Sequence, residues 1–175
     1  MSKNTTSGGS GATGGSGGAK AARGAERAGF CADNLVLIVV GAHPRAEMHD
    51  RPVAYGLRQR ILEGLSRRGV EGEEGSLTPL VVSDVWYLND ASLRHRPAVS
   101  VGAPGVNALS AYLGDKLPSA FVVDDTLMVQ MDLELAEVMA CCWGVDAAAT
   151  GAAVQAFCDR YLDGFLEAAL RQLAA

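Results

Sequence analysis

Leu35-Val36-Leu37-Ile38-Val39-Val40, closed by Gly41, decides how this chain is read. The run is continuous rather than alternating, and four of its six residues are β-branched. That pattern predicts a strand buried on both faces, in a sheet covered by helices on either side. Working outward, residues 42–51 read as a loop, and Pro52 suits a first helical turn, where a missing N–H costs little. Val53, Leu57, Ile61 and Leu65 recur every four residues and mark the buried stripe of an amphipathic helix that stops near Gly69. A second strand is expected from Pro79 toward Leu88. Strand, helix and strand in that order imply a right-handed βαβ crossover.

The later chain reads differently. Ala98 to Val101 is a short third strand, followed by a Gly/Pro-rich turn and a short helix at 108–113. Residues 119–123 and 127–131 flank Asp124-Asp125-Thr126, whose turn chemistry fits a hairpin. Residues 137–143 form a further strand, and a single long helix is expected over 147–173. Gly164 weakens the middle of that helix by about 1 kcal/mol relative to alanine, and a close approach of helix to sheet would explain it. The fold class is therefore α/β, with a mixed sheet: a parallel βαβ start, an antiparallel meander later, and helices packed against it.

Residues 2–18 are almost entirely Gly, Ser, Thr, Ala and Asn, a composition that cannot bury enough apolar surface to offset its ordering entropy. Residues 1–33 are expected to be a disordered tail carrying Lys20, Arg23 and Arg27, and residues 34–175 one domain. The acidic, Gly-rich segment 71–76 reads as a surface loop. Hydrophobic residues make up 49% of the chain and charged residues 20%, which suits a core that needs no disulfide or metal staple. The net charge of −5 supplies no basic footprint, so neither nucleic acid nor an anionic membrane is an expected partner. Cys31, Cys141, Cys142 and Cys158 show no framework or zinc spacing and read as reduced thiols of a cytoplasmic protein.

Three expected strands end in glycine before a turn and a helix, at Gly41, Gly102 and Gly144. In open α/β sheets ligands bind outside the carboxyl ends of strands, and helix N-termini there favour anions. Gly41, Gly102, Pro104, Gly105, Asn107 and Asp146 are the ligand-binding candidates. Pro104-Gly105 fits a type II turn, Asn107 caps the next helix, and Asp146 caps the last one. His43 and Asp84 are the catalytic candidates: His43 for its neutral-range acid–base chemistry, Asp84 because it interrupts an apolar strand. His49 and Asp50 flank the first helix entrance with His43, but their spacing matches no metal motif, and no metal is expected. Asp124 and Asp125 read as turn formers, and Arg94-His95-Arg96 as a basic cluster suited to an anionic ligand or an acidic partner. Cys141 and Cys142 point to opposite faces of one strand, where a thiol has neither access nor a lowered pKa.

Val101-Gly102-Ala103-Pro104-Gly105-Val106-Asn107, with the later strand-Gly-Val-Asp-helix junction, resembles the glycine–proline–asparagine turn of α/β domains in archaeal surface-layer proteins. Ala103 stands where that turn carries a second glycine. The resemblance implies an α/β fold and nothing about activity. No nucleotide, hydrolase or zinc motif names a reaction or a cofactor. Two functional readings follow. One is a domain that binds a small polar or anionic metabolite at the strand carboxyl ends, as an enzyme or otherwise. The alternative is a non-catalytic assembly module, tethered by its tail and presenting Trp86-Tyr87-Leu88 as a contact patch, with a homo-oligomer as one form it takes.

Overall fold

A computed structural model describes residues 32–70 and 76–174. The expectations placed on the N-terminal tail, Cys31 and most of the acidic loop lie outside the described residues.

After a short 3-10 turn, Ala32–Asn34, strand β1 spans Leu35–Val40, and every one of its residues is buried. Its side chains alternate between two cores. Val36, Ile38 and Val40 belong to one, and Leu35, Leu37 and Val39 to the other, as a strand covered on both faces requires. Helix α1 is Pro44–Arg67, β2 is Thr78–Ser83, α2 is Asp84–Asn89, β3 is Ala98–Val101 and α3 is Ala108–Gly114. The hairpin strands are β4, Ser119–Val123, and β5, Leu127–Met131. Then follow β6, Met139–Gly144, α4, Ala147–Arg160, and α5, Leu162–Leu173.

The six strands lie in the order β2-β1-β3-β6-β5-β4. The pairs β1–β2, β1–β3 and β3–β6 are parallel, whereas β5 runs antiparallel to both β6 and β4. This is the mixed α/β sheet read from the sequence. The two faces are covered unequally. Helices α1, α4 and α5 close one core, around Phe157 and Phe165, whose rings meet edge to face at 5.6 Å. Among the described residues, the short α2 and α3 cover the other through Tyr87, Leu109 and Leu113, with Leu93 and Leu117 from the turns beside them.

Four element boundaries differ from expectation, each for a local reason. Helix α1 opens at Pro44 rather than Pro52, because His43 caps it: its Nδ1 accepts from the Arg45 N–H at 3.1 Å. Pro52 therefore sits inside the helix. Strand β2 ends at Ser83, whose hydroxyl caps α2 by accepting from the Trp86 N–H. Strand β6 begins at Met139 rather than at residue 137. The terminal helix is broken at Tyr161, which leaves helical geometry at φ −126° while its hydroxyl donates to the Ala120 carbonyl on β4. Gly164 meets no sheet. The nearest atom to the position a Cβ would take is a methyl of Leu135, 4.0 Å away.

Candidate functional site

Because β1, β3 and β6 are parallel neighbours in register, Val40, Val101 and Cys142 align, and the glycine corners that follow lie along one edge of the sheet. The chain leaves β1 through α1 on one face and β3 through α3 on the other. The ends of β1 and β3 thus form the topological switch point where such sheets take ligands.

Here the protein's own groups occupy that switch point. Asn107 is fully buried. Its amide nitrogen donates to the Val39 carbonyl at 3.1 Å and the Val101 carbonyl at 2.9 Å, joining the ends of β1 and β3. Its oxygen accepts from the Leu109 and Ser110 N–H groups at the start of α3. Asp84 stands at the start of α2, directly after β2. One oxygen accepts from the Ala42 N–H at 2.8 Å and from its neighbour Val85 at 2.7 Å, and the other from the Ala108 N–H at 2.8 Å. A carboxylate thereby ties the loops after β1 and β3 to the start of α2. Backbone N–H groups are suitable partners for a buried carboxylate, since its charged form is costly to desolvate unaided.

The glycines permit the same closure. A Cβ on Gly41 would lie 1.8 Å from the Val106 carbonyl oxygen, and one on Gly144 would strike Ala149 at 2.4 Å. Gly102 has φ +109°, and a Cβ there would fall 2.4 Å from an Asp50 carboxylate oxygen. The turn after it differs from the expected type II form. Gly105 is not in the left-handed region, and the Val106 and Asn107 N–H groups both bond the Ala103 carbonyl. Pro104 is half-buried and Gly105 opens to solvent. Ser110 donates to the Gly102 carbonyl at 2.7 Å and shares a 2.8 Å bond with Ser100. Asp146 accepts from the Ala149 N–H at 2.8 Å as the cap of α4, and Thr150 accepts from the Gly144 N–H.

His43 is exposed and engaged in its cap, so its imidazole does not join Asp84 and Asn107. His49 is also exposed, but the adjacent Asp50 is buried, and burial raises its pKa against the opposing pull of His49. The Asp50 carboxylate forms no hydrogen bond or ion pair among the described residues. It is the one carboxylate at these strand ends left without such a partner. Burial also pushes the Cys141 thiol up to about 11, and raises Cys142 and Cys158. Among the described residues, no three His, Cys, Asp or Glu side chains converge in a way that could hold a metal.

A prominent concavity lies elsewhere, on the sheet face that α2 and α3 cover incompletely. It is a groove of about 990 Å³. Leu109, Leu113, Val138 and Met139 give it apolar walls, and Arg94, His95 and Lys116 bring cationic or titratable groups to it. The Lys116 ammonium sits 4.7 Å above the Tyr112 ring. Tyr87 is buried, with its hydroxyl against the Arg94 carbonyl. Burial raises its pKa, Arg94 opposes that shift, and Tyr112 and Glu137 add to it. Arg96 is committed to Asp33. The sequence flagged Arg94, His95 and Arg96 as a basic cluster. Tyr112, Lys116 and Glu137 gave no signal: Tyr112 and Lys116 stand at the end of α3 and just after it, Glu137 lies before β6, and only the fold brings them to the Arg94 loop. No family model matches this chain, and no curated protein is similar to it.

Proposed function

We propose that this protein binds a small anionic molecule with an apolar body in the groove between α2 and α3. One observation carries this reading: Arg94, His95 and Lys116 reach an apolar-walled concavity large enough for a metabolite, with the Asp132 and Glu137 carboxylates also on its rim to exclude anions from that part of it. Such sites pair apolar walls with a few convergent polar groups that fix orientation. An anion here meets the ammonium of Lys116 and those N–H groups of the Arg94 guanidinium that its bond to the Leu88 carbonyl leaves over, while the exposed Tyr112 offers aromatic surface. The sequence placed an anionic ligand at the strand carboxyl ends. The groove is the better position because the side chains of Asp84, Asn107 and Asp146 already serve internal hydrogen bonds.

Thermal unfolding with three probes tests this reading. Phenyl phosphate supplies anion and ring, inorganic phosphate the anion alone, and phenol the ring alone. A ligand that binds only the folded form raises the midpoint by an amount that grows with the logarithm of its concentration over its dissociation constant. Phenyl phosphate is expected to give the largest saturable rise, and Lys116→Ala to weaken its binding about tenfold, as loss of one charge-assisted contact should. Absence of a saturable rise with any probe, or an unchanged response in Lys116→Ala, would refute the groove as the site.

A further inference from the structure

The two edges of the sheet are finished differently. On β2, Pro79 has no N–H to offer, and its carbonyl accepts from the Arg58 side chain at 3.1 Å. Proline and capped carbonyls are the usual devices that stop an edge from recruiting another strand. On β4 the sequence Ser119-Ala120-Phe121-Val122-Val123 contains no proline, glycine or charge. Its first half is protected. The register shifts between Ser119 and Phe121, and the Ala120 carbonyl takes the Tyr161 hydroxyl. Its second half is open, with Val122 and Val123 about 40% exposed.

The direction of the open groups follows from the turn. The Val123 carbonyl accepts from the Thr126 N–H at 2.7 Å, so Val123 faces into its own hairpin. Alternation then turns the N–H and C=O of Val122 outward. The charges near this edge are also unmatched. Arg160 stacks 4.4 Å above the Phe121 ring, and it forms no ion pair among the described residues. Asp124 and Asp125, which continue β4 into the turn, form none either. Both adopt left-handed backbone, at φ 41° and 54°.

We propose that two copies of this chain pair antiparallel along the open half of β4, about a two-fold axis at Val122. This register sets Val122 opposite Val122 of the second copy, and Phe121 opposite its Val123. Phe121 and Val123 share one face, so the Arg160 guanidinium above Phe121 comes within a residue or two of the second copy's Asp124 and Asp125. The symmetry repeats that contact on the other side, as an isologous interface must. The pairing extends one sheet through both copies and gives each exposed valine a cross-strand partner. It does not depend on the α2–α3 groove.

Sedimentation equilibrium of the full chain tests the pairing. The wild type should show a reversible monomer–dimer equilibrium up to twice the 18.2 kDa chain mass. Val122→Lys, which places a charge on the edge, should raise the dissociation constant about tenfold or more. A circular-dichroism melt confirms that each variant folds. Arg160→Glu and Asp125→Lys test the orientation. Each alone should be monomeric, whereas an equimolar mixture should recover the dimer, since only the mixed pair restores opposite charges at both contacts. A wild type that stays monomeric at about 100 μM, above the affinity expected of a functional pair, would overturn the proposal. So would a dimer indifferent to Val122→Lys, or failure of the mixture to recover association.

Discussion

Asn107 makes four hydrogen bonds from one amide, and all four partners are backbone groups at the ends of β1 and β3 or the start of α3. Alanine there strands two carbonyls and two N–H groups in a buried place. Asn107→Ala should cost about 2–4 kcal/mol, combining a lost cap with unsatisfied buried groups, as measured by urea unfolding. The helix cap was legible in the sequence, because asparagine before a short helix has a local meaning. The bridge to Val39 was not, since it joins residues 68 apart in the chain. Asp84 was likewise conspicuous as a carboxylate in an apolar run. Its three N–H partners come partly from loops that only the sheet order brings together. Asp50 shows the opposite case, a carboxylate against Gly102 that no N–H group holds and only the charge of His49 favours. Burial lifts its folded-state pKa above the ordinary 3.8. The folded form therefore holds the proton more tightly than the unfolded chain, a contribution present in acid and lost as pH rises through the folded value. Asp50→Asn should thus be more stable than the wild type at neutral pH, by up to about 1 kcal/mol given partial solvent screening. The advantage should shrink below the ordinary carboxylate range, as urea unfolding at pH 7 and pH 3 will show.

At the scale of the element, α1 is the instructive departure. The sequence places the helix start at Pro52, with residues 42–51 as a loop, but the helix opens at Pro44. His43 decided it by capping Arg45, a role outside the usual Ser, Thr, Asp and Asn set. Pro52 is exposed in mid-helix, where it removes one intrahelical hydrogen bond. Pro52→Ala should therefore raise stability by about 1–3 kcal/mol and increase the helical circular-dichroism signal. A drop in the melting temperature would show that Pro52 has a role the helix geometry does not reveal. The break at Tyr161 was invisible for a different reason. The apolar stripe continues through it, and only the hydroxyl's bond to Ala120 on a distant strand distinguishes it. The hairpin, by contrast, was fully legible, since Asp124-Asp125 supplies its own turn.

At the scale of the whole molecule, the mixed character of the sheet follows from pattern, whereas the strand order, with β6 between β3 and β5, does not. A continuous apolar strand became the interior plank, and short strands with local turns became the meander. The pattern does not carry coverage either. Three helices close one face, two short ones close the other, and the difference leaves the groove. The strand ends, where general rules put a ligand, are instead laced by Asn107 and Asp84.

The position of ligand binding is tested most directly by amide chemical-shift mapping of the full chain titrated with phenyl phosphate. The account predicts saturable shifts on Arg94, His95, Tyr112, Lys116 and Met139, with Ala42, Gly102 and Ala103 unmoved. Shifts confined to the strand-end loops around Gly102 and Asp50, or none that saturate, would contradict it.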